Sequence, residues 1–299
     1  MPQVAGSAQS SRRSAAWRII SPLLVLAVLF GSGPLFGARI QASLSTEFVV
    51  IGANAVVGGL TSGLTALARG EPFLRSFSGG LAGGSVHYLG KRIAVGRAPG
   101  AGLSGRLVGA VGMSMVRNAG EGRGLLDRLL LPVGPVVVDW MTVPDSSRVR
   151  ARLHLGRTVF LGVLVWHDEL RIDWGETLLT GAPVFRTRDR LLWDAAGSRG
   201  GLELFGSISI RDRQERTALE EARLIAHERV HVLQDDFLTY AMADPVEDWL
   251  LELVPGGGAI AEYVDFGLVY LGMGGLLLMA LPYEDRPWEN EASHLSGGP

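Results

Sequence analysis

The pattern of apolar and polar positions divides the chain into stretches of different texture. Residues up to Arg18, with Arg12 and Arg13, are polar and basic, and Ile19 to Phe36 is almost wholly apolar. No small-residue cleavage site follows, so this stretch reads as a retained anchor rather than a removed leader, with its basic flank left in the cytoplasm. From Leu44 to Arg123 the chain is rich in glycine and small apolar residues. Gly59 with Gly63, Gly80 with Gly84 and Gly105 with Gly109 each fall four apart, on one helix face, where two backbones can approach closely. Glu47 to Leu67 is long enough to span a bilayer. Phe73 to Leu89 carries Arg75 and His87, and Ala101 to Val116 is interrupted by Arg106. A membrane-embedded bundle and a soluble bundle with tight crossings both fit this region.

Pro132 opens a different texture. Val136–Val138, Val149–Leu155, Val159–Trp166, Leu170–Trp174 and Ser207–Ile210 read as short strands. In Arg148 to Leu153 the alternation is that of a half-buried strand. A helix is predicted from Thr217, where Thr217 and Glu220 have capping-box spacing. Leu219, Ala222, Ala226, Val230, Leu233 and Phe237 form its apolar stripe. It should stop by Asp244–Pro245, with a short helix over Val246 to Val254. Ala259 to Leu281 is again apolar but holds Glu262 and Asp265, and the tail from Pro282 is polar. The expected organisation is an anchor over 1–43, a Gly-rich helical and membrane-associated region over 44–131, a small, mostly antiparallel β region over 132–212, and a metal-binding helical region over 213–299. The fold class is α+β.

Composition narrows the function. The formal charge of -2 carries no nucleic-acid footprint. Apolar residues make up 47% and charged residues only 19%, a lean surface that fits contact with membrane lipid or a large buried helical core. There are no cysteines, so any metal must be held by nitrogen and oxygen.

The chemistry-bearing motif is His227–Glu228–Arg229–Val230–His231, an HExxH on the predicted helix. Residues four apart lie one turn apart on one face, so both imidazoles can reach one ion. Glu228, on the neighbouring face, can reach a metal-bound water without displacing it, and would accept its proton.

His227 to Gln234, HERVHVLQ, followed by Trp288 to Ser293, WENEAS, resembles the zincin metallopeptidases of the gluzincin type. The likeness is closest to small bacterial minimal-gluzincin domains, which show HExxHVxQ and then ExEA, and it covers Thr217 to Ser293. The resemblance implies a zinc-dependent hydrolase of peptide or protein substrates with a C-terminal zincin-like helix pair, here in a bacterial inner membrane. His227 and His231 would be ligands, Glu228 the general base and Glu289 the third ligand. Ser293 departs from the pattern, since an aspartate that orients a ligating histidine is expected there. Glu291 is the second choice for the third ligand, and Glu262 a further one. The family's cleft-bordering strand would be Gly206–Ile210, pairing with an extended substrate. Tyr240 and His294 are the candidates for helping to stabilise the oxyanion. Asp235 could support a ligand, and Asp236 follows it on the same helix. His87, His154 and His167 read as ordinary polar contacts. Two other readings stay open: a zinc-binding membrane protein without catalysis, and a structural membrane protein whose histidines are incidental. Because Glu289 and His227 must meet, Ala259 to Leu281 should return the tail to the helix rather than cross a bilayer.

Overall fold

A computed structural model describes residues 44–143, 148–167, 169–187, 201–212, 216–273 and 286–297. The expected anchor, Ile19 to Phe36, lies outside them. The chain is mixed α+β. Three helices come first: α1 (Leu44–Arg69), α2 (Phe73–Ala94) and α3 (Ala101–Gly120). α2 packs on both of its neighbours. The small-residue spacing has a direct physical role here. A Cβ on Gly84 would overlap the carbonyl oxygen of Asn54, so α1 and α2 touch backbone to backbone. Arg106, which interrupts the apolar run of α3, turns inward to Asp236 at 3.1 Å.

Two four-stranded sheets follow. β1 (Arg128–Val133), β2 (Val136–Met141) and β3 (Arg148–His154) form an antiparallel meander, and β8 (Val264–Asp265) joins β3 in parallel. The second sheet has the order β4 (Arg171–Ile172), β5 (Val184–Thr187), β7 (Ser207–Arg211), β6 (Gly201–Leu204). Its β5–β7 pairing is parallel and its other two are antiparallel.

Val159–Trp166, expected as a strand, is part of a helix, α4 (Leu155–His167). An apolar run without polar punctuation carries no period, so pattern alone cannot separate the two. Two contacts favour the helix, one local and one long-range. The backbone N–H of Arg157 donates to Nδ1 of His154 at its start, and helical geometry turns Arg157 inward to Asp235 and Asp236. Leu170–Trp174 shrinks to the two-residue β4. Asp173 then caps α5 (Trp174–Thr180) by accepting the N–H of Glu176.

The long helix α6 (Ala218–Phe237) begins with the expected capping box at Thr217 and Glu220. Leu219 and Ala222 project outward, whereas Ala226, Val230, Leu233 and Phe237 are buried. Helical backbone does not stop at Asp244–Pro245. It widens into a π-helical stretch over Leu238–Ala243 and resumes as α7 (Asp244–Glu252), with Pro245, which has no N–H to offer, in its first turn. Ala259 to Leu281 is not one helix. A short α8 (Gly257–Ala261) gives way to β8 and to a left-handed Gly267, before helical backbone resumes at 268–273. Gly274 and Gly275 lie outside the described residues. The last element is α9 (Pro287–Ser296).

α6 is the hub. Ile225 and Val232 pack with Val184, Ile208 and Ile210 of the second sheet. Val230 packs with Val50 of α1, Tyr88 of α2, and Ala292 and Leu295 of α9. Phe237 and Tyr240 join Met113 and Val116 of α3 with Leu130 and Val137 of the first sheet. Val230 therefore seats α9 and the Gly-rich helices against the HExxH helix from one side.

Candidate metal centre

Helical spacing puts His227 and His231 one turn apart, and both rings point toward α9. Their Nε2 atoms are 2.9 Å apart. Oε2 of Glu289, in the first turn of α9, lies 3.1 Å from Nε2 of His231 and 3.4 Å from Nε2 of His227. Three potential donor atoms thus form a triangle with edges of 2.9, 3.1 and 3.4 Å. An ion at tetrahedral bond lengths of about 2.0–2.1 Å would space its ligands by about 3.3 Å. The residues present therefore fit a tetrahedral zinc, with the fourth position open. The donor set also suits it: two imidazoles and a carboxylate, in a chain with no thiols.

His231 is prepared from behind. Nδ1 of His231 lies 2.7 Å from Oε1 of Gln234, one turn further along α6. An amide oxygen only accepts, so Nδ1 carries a hydrogen and Nε2 is the nitrogen whose proton an ion would replace. Burial disfavours a charged His231 ring, but the carboxylate of Glu289 outweighs this and raises its pKa to about 9. Gln234 thus orients the His231 ring.

Glu228 is buried between the triangle, whose three members all act on its charge, and β6 of the second sheet. The backbone N–H of Glu203 in β6 donates to its carboxylate. A Cβ on Gly201 would stand 2.7 Å from its Oε1, so this strand position needs a glycine for Glu228 to fit. Burial pushes the Glu228 carboxyl pKa up, against the pull of the two histidines. A base moved upward from the usual carboxylate range is better matched to neutral pH.

The other carboxylates are elsewhere. Glu291 is saturated: its oxygens accept from Lys91 Nζ at 2.8 Å, Gln234 Nε2 at 2.7 Å and Asn54 Nδ2 at 2.7 Å. Burial alone would raise its pKa, and Lys91 with these hydrogen bonds instead holds it below the usual range. Glu262 is exposed and pairs with Arg150 at 3.1 Å, away from the histidines. Asp235 and Asp236 serve the interior, taking Arg157 at 2.7 and 3.0 Å. Tyr240 is buried against the same arginine, and Nε2 of His294 faces Glu47 of α1 at 3.6 Å. Neither reaches the triangle by a described contact. Nδ1–H of His87 donates to the carbonyl of Gly109 at 3.0 Å, and His167 is exposed. The residues that sequence reasoning passed over are Gln234, Asn54 and Lys91. Gln234 is one turn after His231, which is a local signal; the other two give none.

The expected cleft strand also changes. Ser207–Arg211 lies between β5 and β6, with both edges paired, whereas β6 ends the sheet among the described residues and lies against α6.

A second cluster gathers His154, Asp244 and Asp265. Nδ1 of His154 accepts the Arg157 N–H, so Nε2 bears the hydrogen and offers no lone pair to an ion. Arg117 and Arg152, at 3.2 and 3.0 Å, already supply Asp244 with positive charge. A cavity of about 350 Å³ lies between α1, the end of α3 and α7, and none of its lining residues belongs to the triangle. Compared with protein-family models, with curated proteins and with solved structures, the chain matches none.

Proposed function

We propose that this chain is a membrane-associated zinc metallopeptidase of the gluzincin type that hydrolyses peptide bonds. The observation that carries the reading is the convergence of His227, His231 and Glu289 at tetrahedral spacing, with Glu228 buried next to His227. Both histidines would hold the ion through Nε2 and Glu289 through a carboxylate oxygen. Bound zinc supplies a Lewis acid and lowers the pKa of water toward neutrality. Glu228, steadied by the Glu203 N–H, takes the proton of the attacking water on its carboxylate and passes it to the departing amine. The edge of β6, which no described strand pairs, is the place for an extended peptide to add as a further strand.

Membrane association rests on the apolar Ile19–Phe36. Thr46–Arg69 is also long and apolar enough to cross a bilayer. Its neighbours argue for a place in the protein interior instead. Ser62 of α1 donates to the Val116 carbonyl, and Lys91, Arg106 and Arg117 on α2 and α3 are buried against carboxylates.

The test is metal content and turnover of the purified full chain. About one zinc per chain is expected, lost in His227→Ala, His231→Ala and Glu289→Ala but kept in Glu262→Ala. Glu228→Gln should keep zinc and lose hydrolysis of a generic protein substrate. Equal zinc in the wild type and the histidine variants would sink the site. Zinc without turnover in the wild type would leave a non-catalytic zinc protein.

A further inference from the structure

We propose that Asn54 and Lys91 of the Gly-rich helices, acting through Glu291 and Gln234, form a positioning relay that fixes the His231 tautomer and aims α9 at the metal. The inference rests on the zinc reading above for its purpose, but its geometry stands without the ion.

The relay starts at Gln234. Its Nε2 donates to Oε2 of Glu291 at 2.7 Å and to the Trp288 carbonyl at 3.1 Å, both of which only accept. Flipping the amide would set its oxygen against a carboxylate and a carbonyl, so its orientation is dictated. Oε1 is thereby turned to Nδ1 of His231 at 2.7 Å and can only accept from it. The ring is left with its hydrogen fixed on Nδ1, so that when it gives up a proton the free pair appears on Nε2.

What dictates Gln234 is Glu291, and Glu291 is dictated in turn. Lys91 Nζ donates to it at 2.8 Å and also to Oδ1 of Asn54 at 2.8 Å. Nδ2 of Asn54 donates to Oε1 of Glu291 at 2.7 Å and to the carbonyl of Val50 at 3.0 Å. The ion pair is largely buried, with side-chain exposures of 5% for Lys91 and 14% for Glu291. Desolvating two charges is costly unless the geometry is good and the remaining sites are filled, and here they are. Glu289 is only two residues before Glu291, so the clamp on Glu291 also sets where Glu289 lies along and around α9. Groups that orient metal-bound histidines typically change metal affinity by about 10–100-fold when removed. By this argument the metal centre cannot be assembled from α6 and α9 alone, because its third ligand is seated by α1 and α2.

The experiment uses the full chain and two readouts: zinc affinity by chelator competition, and the hydrogen-bonded Nδ1–H proton of His231 by NMR. The wild type should show that proton with or without zinc. Gln234→Leu should lose it and bind zinc about 10–100-fold more weakly. Lys91→Met, which strands the Glu291 charge, should also weaken zinc by at least about tenfold. Lys91→Met combined with Glu291→Gln removes both charges and should recover part of that loss, which a loss of general stability would not. The swap Gln234→Glu with Glu291→Gln keeps an acceptor for Nδ1 and should keep the NMR signal. Circular dichroism identifies any variant that fails to fold, and the double variants then decide. The relay is overturned if Gln234→Leu keeps the Nδ1–H signal, or if folded Gln234→Leu and Lys91→Met both bind zinc as the wild type does. A wild type that binds no zinc overturns the zinc reading instead, and the NMR arm still judges the relay.

Discussion

At the residue scale the centre is a competition between a proton and a cation for one lone pair. Without zinc, Nε2 of His231 faces Oε2 of Glu289 at 3.1 Å, and that carboxylate raises the ring pKa to about 9 against the effect of burial. The sign follows from the direction of the shift. A histidine whose folded pKa is raised stabilises the zinc-free fold fully below its ordinary value near 6.5, and that contribution is lost as pH rises through about 9. Zinc needs the same nitrogen unprotonated, so binding must expel the proton. Between neutrality and pH 9 the apparent zinc affinity should rise about tenfold per pH unit, the slope for one displaced proton. Isothermal titration at several pH values, in buffers of different ionisation enthalpy, counts that proton directly. A flat profile over this range would mean that Glu289 does not hold His231 charged. Glu289→Gln should flatten it in the same way, by removing the charge that favours the imidazolium.

At the element scale the arrangement depends on one helix contact that tolerates no side chain and on one that needs several. α1 meets α2 where a Cβ on Gly84 would overlap the Asn54 carbonyl. That carbonyl belongs to the residue whose side chain clamps Glu291. Gly84→Ala should therefore do two things: destabilise the fold by about 1–3 kcal/mol through overpacking, and weaken zinc binding by pushing Asn54 away from α9. Thermal melts and chelator competition on the same samples check both. Gly52→Ala, on the same α1 but with nothing near the added carbon, should change neither. How much of this was legible follows the same line. The α6 helix and its HExxH could be read because a capping box and an i, i+4 pair are local signals. Helix α4 could not, since apolar residues at nearly every position carry no period and Arg157 is buried only through partners about 80 residues away. β6 is four residues long, too short to announce itself. Asn54 and Glu291 are 237 residues apart, and no spacing rule connects such a pair.

At the scale of the whole molecule, the membrane association proposed above raises the question of which parts would share a side. Glu289 is 3.4 Å from His227, so the two residues would lie at one depth in any membrane, and β8 interrupts Ala259 to Leu281, the stretch between them that is long enough to cross. The harder case is α1. If it spanned the bilayer, Asn54, eight residues inside its apolar start at Thr46, would lie about 12 Å along it. The Lys91–Glu291 pair and the metal site would then sit within hydrocarbon, where charges are expensive and chiefly found facing protein or water. The helix pair shows the opposite distribution of cost: exposed Arg75 and Arg92 on α2, and Glu47 paired with Arg92 at 3.3 Å near the start of α1. We therefore expect the chain from α1 onward to lie on one side, held to the membrane by Ile19–Phe36. The absence of cysteine from the sequence makes the test clean. Single substitutions Phe48→Cys, Leu74→Cys, Leu219→Cys and Leu253→Cys place a thiol at well-exposed positions, the first near the start of α1 and the second in the first turn of α2, just beyond the end of α1. A membrane-impermeant maleimide added to sealed vesicles of known orientation should label all four or none. Labelling of Phe48→Cys and Leu74→Cys from opposite sides would make α1 a true span and would place the His227–Glu289 centre at membrane depth.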